Sequence, residues 1–194
     1  MPSILVSRMS DSSSLRAIAQ TFRLTGWISF WTQVVLGVVS AGILISTILI
    51  PKAGNSSNPG TGFGIVLAVS GLITLGVSIY LTFRYTRIAR QLESSNPNNR
   101  PRKIETIQSV RLGVTVNLVG ILLTLFGAQA INGNLILKAL TLPQFGSGLY
   151  TQIDPNRIIQ PLDIFVVQAN TNTVSAHFAG LVGSIWLLNR LTKS

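Results

Sequence analysis

One histidine occurs in the chain, His177, and it stands in a stretch from Ile164 to Asn189 that carries no Asp, Glu, Lys or Arg. An ionisable side chain in such a setting is by default a candidate for ion or substrate passage. Just before it comes Gln168-Ala169-Asn170-Thr171-Asn172-Thr173, a run of amides and hydroxyls. Asn170, Thr173 and His177 alternate three and four residues apart, with Gly180 and Ser184 in step, so they share one helical face. Imidazole is a ligand that iron accepts, whereas amides and hydroxyls bind cations weakly. Asp154 and Asp163 precede this run and fall at its expected outer mouth. The set then reads as a cation path: Asp154 and Asp163 attract, and His177, Asn170 and Thr173 are weak ligands, as conduction requires. The same pattern also suits a neutral His177 bonded to an amide of a neighbouring helix. Gln33 and Asn117, at similar expected depth, read as a helix-packing pair that bond each other.

Other chemistry is closed off by composition. Without cysteine there are no disulfides, thiolate nucleophiles, Fe–S clusters or Cys-ligated zinc. One histidine and five acids leave no conventional metal-hydrolase set, and no nucleophile–base spacing or Gly-x-x-x-x-Gly-Lys-Ser/Thr loop occurs. No enzyme and no resident cofactor is expected. The +10 net charge would suggest nucleic acid in a soluble protein. Here the cations lie between apolar runs, without interleaved aromatic stacking platforms, and fit anionic lipid headgroups better.

The elements that must position these residues are membrane spans. Of 194 residues 47% are hydrophobic and 10% charged, against about 25% charged in a soluble domain, and the mean hydropathy is +0.49. The expected fold is a single all-α, polytopic bundle of four transmembrane helices. Crossing the hydrocarbon takes about twenty apolar residues. Spans are expected at 26–50, ended by Pro51, at 61–83, ended by Arg84, at 112–131 and at 164–189. A cleaved signal peptide is not expected, because the first apolar run is too long and no Ala-x-Ala-like site follows. Met9 is a second candidate start, with Ser10–Ser14 as a helix N-cap.

Orientation follows from Lys and Arg in the flanks. The N-terminal segment (Arg8, Arg16, Arg23), the central loop 84–111 (Arg84, Arg87, Arg90, Arg100, Arg102, Lys103, Arg111) and the tail (Arg190, Lys193) hold twelve cations. The other two loops hold Lys52, Lys138 and Arg157. Both termini are therefore expected on the cytoplasmic side. Trp27, Phe30, Trp31, Tyr80, Phe83, Tyr85 and Trp186 are expected to form an aromatic belt on that side.

Between the spans, residues 1–25 read as an amphipathic segment through Leu15, Ile18, Ala19 and Phe22, either lying on the inner surface or extending the first span. The central loop is expected to break at Ser95–Pro101. The outer loop 132–163 is apolar through Leu135–Leu142 and contains Asp154-Pro155, which predicts a short helix ended by Pro161. Each span carries a stripe of small or polar residues, the currency of helix contact in lipid: Gly26, Ser29, Gln33, Gly37 and Ser40; Gly64, Ala68, Gly71 and Ser78; Gly113, Asn117, Gly120, Thr124 and Gly127; then the His177 face. Gln168 and Asn172 bring amides to other sides of the fourth helix, whose outer half is therefore expected to meet protein or water, not lipid.

The four-span layout, the basic central loop and Gln168–Thr173 followed by His177-Phe178 resemble a family of cyanobacterial and plastid membrane proteins, over essentially the whole chain. Its plastid members are called permease in chloroplasts and are also described as a Tic-type inner-envelope translocon subunit. The resemblance implies iron transport or a role in preprotein import. The absence of an Arg- and Ser-rich transit extension points to a bacterial, cyanobacterial-type inner membrane. Expected partners are membrane lipids and further copies of the chain or other membrane proteins, with iron or another divalent cation as cargo.

Overall fold

A computed structural model of the protein describes residues 2–49, 59–94, 101–141 and 159–193. They form four helices: α1 (Pro2–Leu49), α2 (Pro59–Leu92), α3 (Lys103–Thr141) and α4 (Pro161–Lys193). No strand occurs among the described residues. Three helices contain segments long and apolar enough to cross a membrane, Arg16–Leu49, Gly62–Leu92 and Lys103–Leu140. The chain is a multi-pass membrane protein. In α4 the apolar pattern is diluted by Gln168, Asn170, Asn172 and His177.

The helices close a ring in which α1 packs on α2 and α4, and α3 packs on the same two; α2 and α4 also touch across the middle. Adjacent helices run antiparallel. Along α1 and α2, Gly26 lies against Thr86 and Gly37 against Leu75. Along α2 and α3, Gly64 meets Ile131 and Ser78 meets Asn117. Along α1 and α4, Ser40 bonds the Ala169 carbonyl. This up-and-down order gathers Arg16, Arg23, Arg84, Arg87, Arg90, Arg102, Lys103, Arg111, Arg190 and Lys193 at one end of the bundle.

The stripes expected to face inward do so on all four helices, each of their residues being buried. Small residues there let the backbones approach closely enough for side chains of the next helix to reach across. The core is layered. At the basic end Phe22, Tyr85, Ile88, Ala89, Val110, Leu187 and Leu191 form an apolar cluster. At the other end Leu44, Ala68, Ile131, Val166 and Ala169 form a second. Between them lies a polar layer.

Several elements differ from expectation. The segment before Gly26 is continuous with the first span, its extension reading: Ala19 and Phe22 are buried against protein, Phe22 edge-on to Tyr85. Tyr85, expected in the aromatic belt, is buried too, because α2 turns it between α3 and α4, where its hydroxyl lies 3.3 Å from Ser184 Oγ. Trp27, Phe30, Trp31 and Phe83 do cluster, with the Arg87 guanidinium 5.1 Å from the Phe83 ring centre. Helix α3 continues past 131 to Thr141, since Leu135–Leu140 extends the helix instead of starting a loop. The helix expected after Asp154-Pro155 falls largely outside the described residues. Pro161 does not end a helix but opens α4, a position where its missing N–H costs nothing.

Candidate functional site

His177 occupies the centre of the polar layer and is fully buried. Its ring rests over Gly120 of α3, so closely that a Cβ at that position would overlap it. Nδ1 is 3.1 Å from Asn117 Oδ1, and Nε2 is 3.1 Å from the Gly71 carbonyl oxygen of α2. The Asn117 amide is oriented by its own Nδ2, which donates to the Gly113 carbonyl at 2.8 Å. Its Oδ1 is thus an acceptor, and both ring nitrogens face oxygen. A neutral imidazole donates from Nδ1 or from Nε2, never both. One tautomer ties α4 to α3, the other ties it to α2. Thr74 Oγ1 stands 3.4 Å from Nε2 and donates to the Gly71 carbonyl at 2.7 Å.

The network extends to α1. Gln33 Nε2 donates to Ser78 Oγ at 2.8 Å and to Asn117 Oδ1 at 3.3 Å, and Ser78 Oγ donates to the same Oδ1 at 2.8 Å. Thr82 Oγ1 lies 3.0 Å from Gln33 Oε1. Gln33 and Asn117 therefore bond each other as expected, and all four helices contribute to one polar knot. Its surroundings carry no charge, since the spans lack Asp, Glu, Lys and Arg. In such a medium an unpaired polar group costs several kcal/mol.

The other candidates separate into three groups. Thr173 and Asn170 line up with His177 inside the bundle, one and two turns towards the far end, both nearly fully buried. Thr173 Oγ1 donates to the Ala169 carbonyl, whereas Asn170 Nδ2 has no partner among the described residues. Gln168 and Asn172 lie on the outward side of α4, where Gln168 Nε2 donates to Asn172 Oδ1 at 2.9 Å. Thus α4 does present amides to its outer surface as well as to the core. Asp163 does not stand open at a mouth. Its Oδ2 accepts from Lys138 Nζ at 2.8 Å and from the Gln160 backbone N–H at 3.1 Å, pinning the first turn of α4 to the end of α3. Asp154 lies outside the described residues. Among the described residues no group of three or more His, Asp or Glu comes together in a metal-holding cluster.

Sequence reading did not single out Thr74, Thr82 or the Gly71 carbonyl. A threonine within a span is a common helix-facing residue, and a backbone carbonyl leaves no mark in the sequence.

A polar layer sealed inside an otherwise apolar helical bundle defines a multi-pass membrane protein with an uncharged core site. The chain belongs to the family described as protein of unknown function DUF3611, whose sequence profile matches residues 12–192. A relative, Protein TIC 21, chloroplastic, of Arabidopsis thaliana, is 35% identical over 182 residues, 92% of this chain. The chain spans 59% of that relative's length. No solved structure matches it.

Proposed function

We propose that the chain is a four-span protein with both termini on the cytoplasmic side of a cyanobacterial-type inner membrane, acting as a permease or channel component for a metal cation. Iron is the cargo that the family resemblance suggests. The fourth span is α4: its ends carry Asp163 and Arg190, about 40 Å apart at 1.5 Å per residue, which matches a bilayer with its headgroups. The cations gathered at one end support the orientation.

The observation that carries the transport reading is the sealed polar layer with an orphaned amide beside it. A buried donor without an acceptor is rare and calls for an unseen partner such as water or a ligand. Asn170 Nδ2 is such a group, and it points the reading to a path through Asn170, Thr173 and His177. Apolar clusters stopper the bundle at both ends, which on this reading makes it the closed form. Passage requires the His177 contacts to Asn117 and Gly71 to part, exposing the imidazole as a weak, releasable ligand.

Iron(II) uptake into proteoliposomes holding the purified chain tests this. Flux that falls in both His177→Ala and Asn170→Ala supports the path. Unaltered flux in both removes these residues from it, and no flux from the pure protein sinks the stand-alone permease. A second reading is favoured by the outward amides of α4: an assembly or protein-translocation subunit docked on a different membrane protein. It predicts a stable heteromeric complex in mild detergent.

A further inference from the structure

The outward face of α4 carries Gln168, Asn172, Ser175, Ala179, Val182 and Trp186, alternately four and three residues apart. That is the spacing of the contact seam between two helices in a left-handed pair. Gln168, Ser175, Val182 and Trp186 are exposed, and Asn172 and Ala179 half-buried. The bond between Gln168 Nε2 and Asn172 Oδ1 leaves Gln168 Oε1 and Asn172 Nδ2 without a partner among the described residues. Asn172 lies about 13 Å along the helix from Asp163, inside the hydrocarbon, where lipid offers no hydrogen bonds. By contrast the outward face of α2 is apolar through Phe63, Val66 and Ile73, and that of α3 through Leu118, Leu122 and Phe126, with one exposed amide, Gln129, where α4 presents two amides and Ser175.

We propose that this seam is the contact between two copies of the chain, α4 against α4, related by a twofold axis along the membrane normal. The inference rests on α4 being a span. In such a pair each residue near the axis meets its own counterpart. Gln168, Asn172 and Ser175 are uncharged and hold both donor and acceptor, so each is complementary to itself: amide to amide at Gln168 and Asn172, hydroxyl to hydroxyl at Ser175. A partner that docked through a charge would bury that charge against neutral groups. The small side chains of Ser175 and Ala179 let the two backbones approach at mid-seam. Towards the basic end the seam runs into a groove of about 550 Å³ between α1 and α4, bordered by Ile28, Thr32, Phe178, Val182 and Trp186. The groove receives the Trp186 side chain of the second copy.

Because the chain has no cysteine, single substitutions report the contact without background. The full-length protein, in liposomes, is oxidised after Ser175→Cys, Ala179→Cys or, on the outward face of α3, Leu122→Cys. Identical cysteines on a twofold seam lie within disulfide reach. The expected result is a disulfide-linked dimer from Ser175→Cys and Ala179→Cys, and monomer from Leu122→Cys. Adding Gln168→Leu with Asn172→Leu, both outside the core, lowers the dimer yield about tenfold, equivalent to about 1.4 kcal/mol. Equal cross-linking at all three positions, or none at the α4 pair, overturns the proposal. So does a yield unchanged by the leucine pair. Iron flux in the same liposomes separates this from the transport reading: cross-links without flux sink transport alone, and flux without cross-links sinks the seam alone.

Discussion

Asn117 Oδ1 accepts from Ser78 and Gln33 and stands 3.1 Å from His177 Nδ1, so the polar layer is held by a few atoms from four helices. Removing one member strands several others. Gln33→Leu deletes the donor to Ser78 and Asn117 and the acceptor beside Thr82; the expected loss is about 1–3 kcal/mol, since the partners stay buried and unpaired. Thermal unfolding in detergent measures it, and an unchanged midpoint would mean that the partners re-pair. Gly120→Ala acts by volume. Its methyl group displaces the His177 ring, at about 1–3 kcal/mol for an overpacked core. The same displacement moves the one histidine side-chain resonance in the NMR spectrum, which a merely local strain at Gly120 would leave in place. The His177, Asn117 and Gln33 stripe was legible in the sequence because inward residues recur at helical spacing. On α2 Ser78 was legible in the same way, but Thr74, Thr82 and the Gly71 carbonyl were not, because which atoms meet depends on the relative height and rotation of two helices.

At the scale of the helices, α4 differs from the rest in having polar groups on two sides. Its inward face meets the layer; its outward face carries Gln168, Thr171, Asn172 and Ser175. The sequence displayed this doubling through the amide run; the break expected at Ser95–Pro101 lies, apart from Pro101, outside the described residues, and it falls between the end of α2 and the start of α3. It misjudged the ends of helices at places where two kinds of signal coincide. Leu135–Leu140 is apolar enough for an interfacial loop, yet it is also a run of good helix formers, and α3 keeps going. Pro161 marks a boundary in either direction, and only Asp163 two residues later, reaching back to Gln160 N–H, shows that it begins α4. Asp163→Ala removes both that cap and the Lys138 ion pair. The predicted cost is about 1–2 kcal/mol of stability by thermal unfolding. Iron flux per folded protein should stay within about twofold of wild type, a barrier change of under 0.5 kcal/mol. A much larger fall in flux would return Asp163 to the cation path.

For the whole molecule, the antiparallel ring has a charge axis: the basic residues of α1, α2, α3 and α4 meet at one end, and the Lys138–Asp163 pair lies at the other. Reporter tags should therefore appear on the cytoplasmic side at the N-terminus, near residue 97 and at the C-terminus, and on the opposite side near residue 147. A protease-protection assay in which the two termini emerge on opposite sides would exclude four spans. Both ends of the bundle are stoppered by apolar side chains, so in the proposed transport Asn170, Thr173 and His177 become a path when the polar layer parts. Iron(II) uptake into proteoliposomes containing wild type, Asn170→Leu or His177→Gln tests this most directly, each protein first shown to be folded by its unfolding midpoint. Uptake by the wild type and a fall of about tenfold in both variants, about 1.4 kcal/mol on the barrier, are expected. Wild-type rates from both folded variants, or no uptake by any of the three, would contradict the proposed transport.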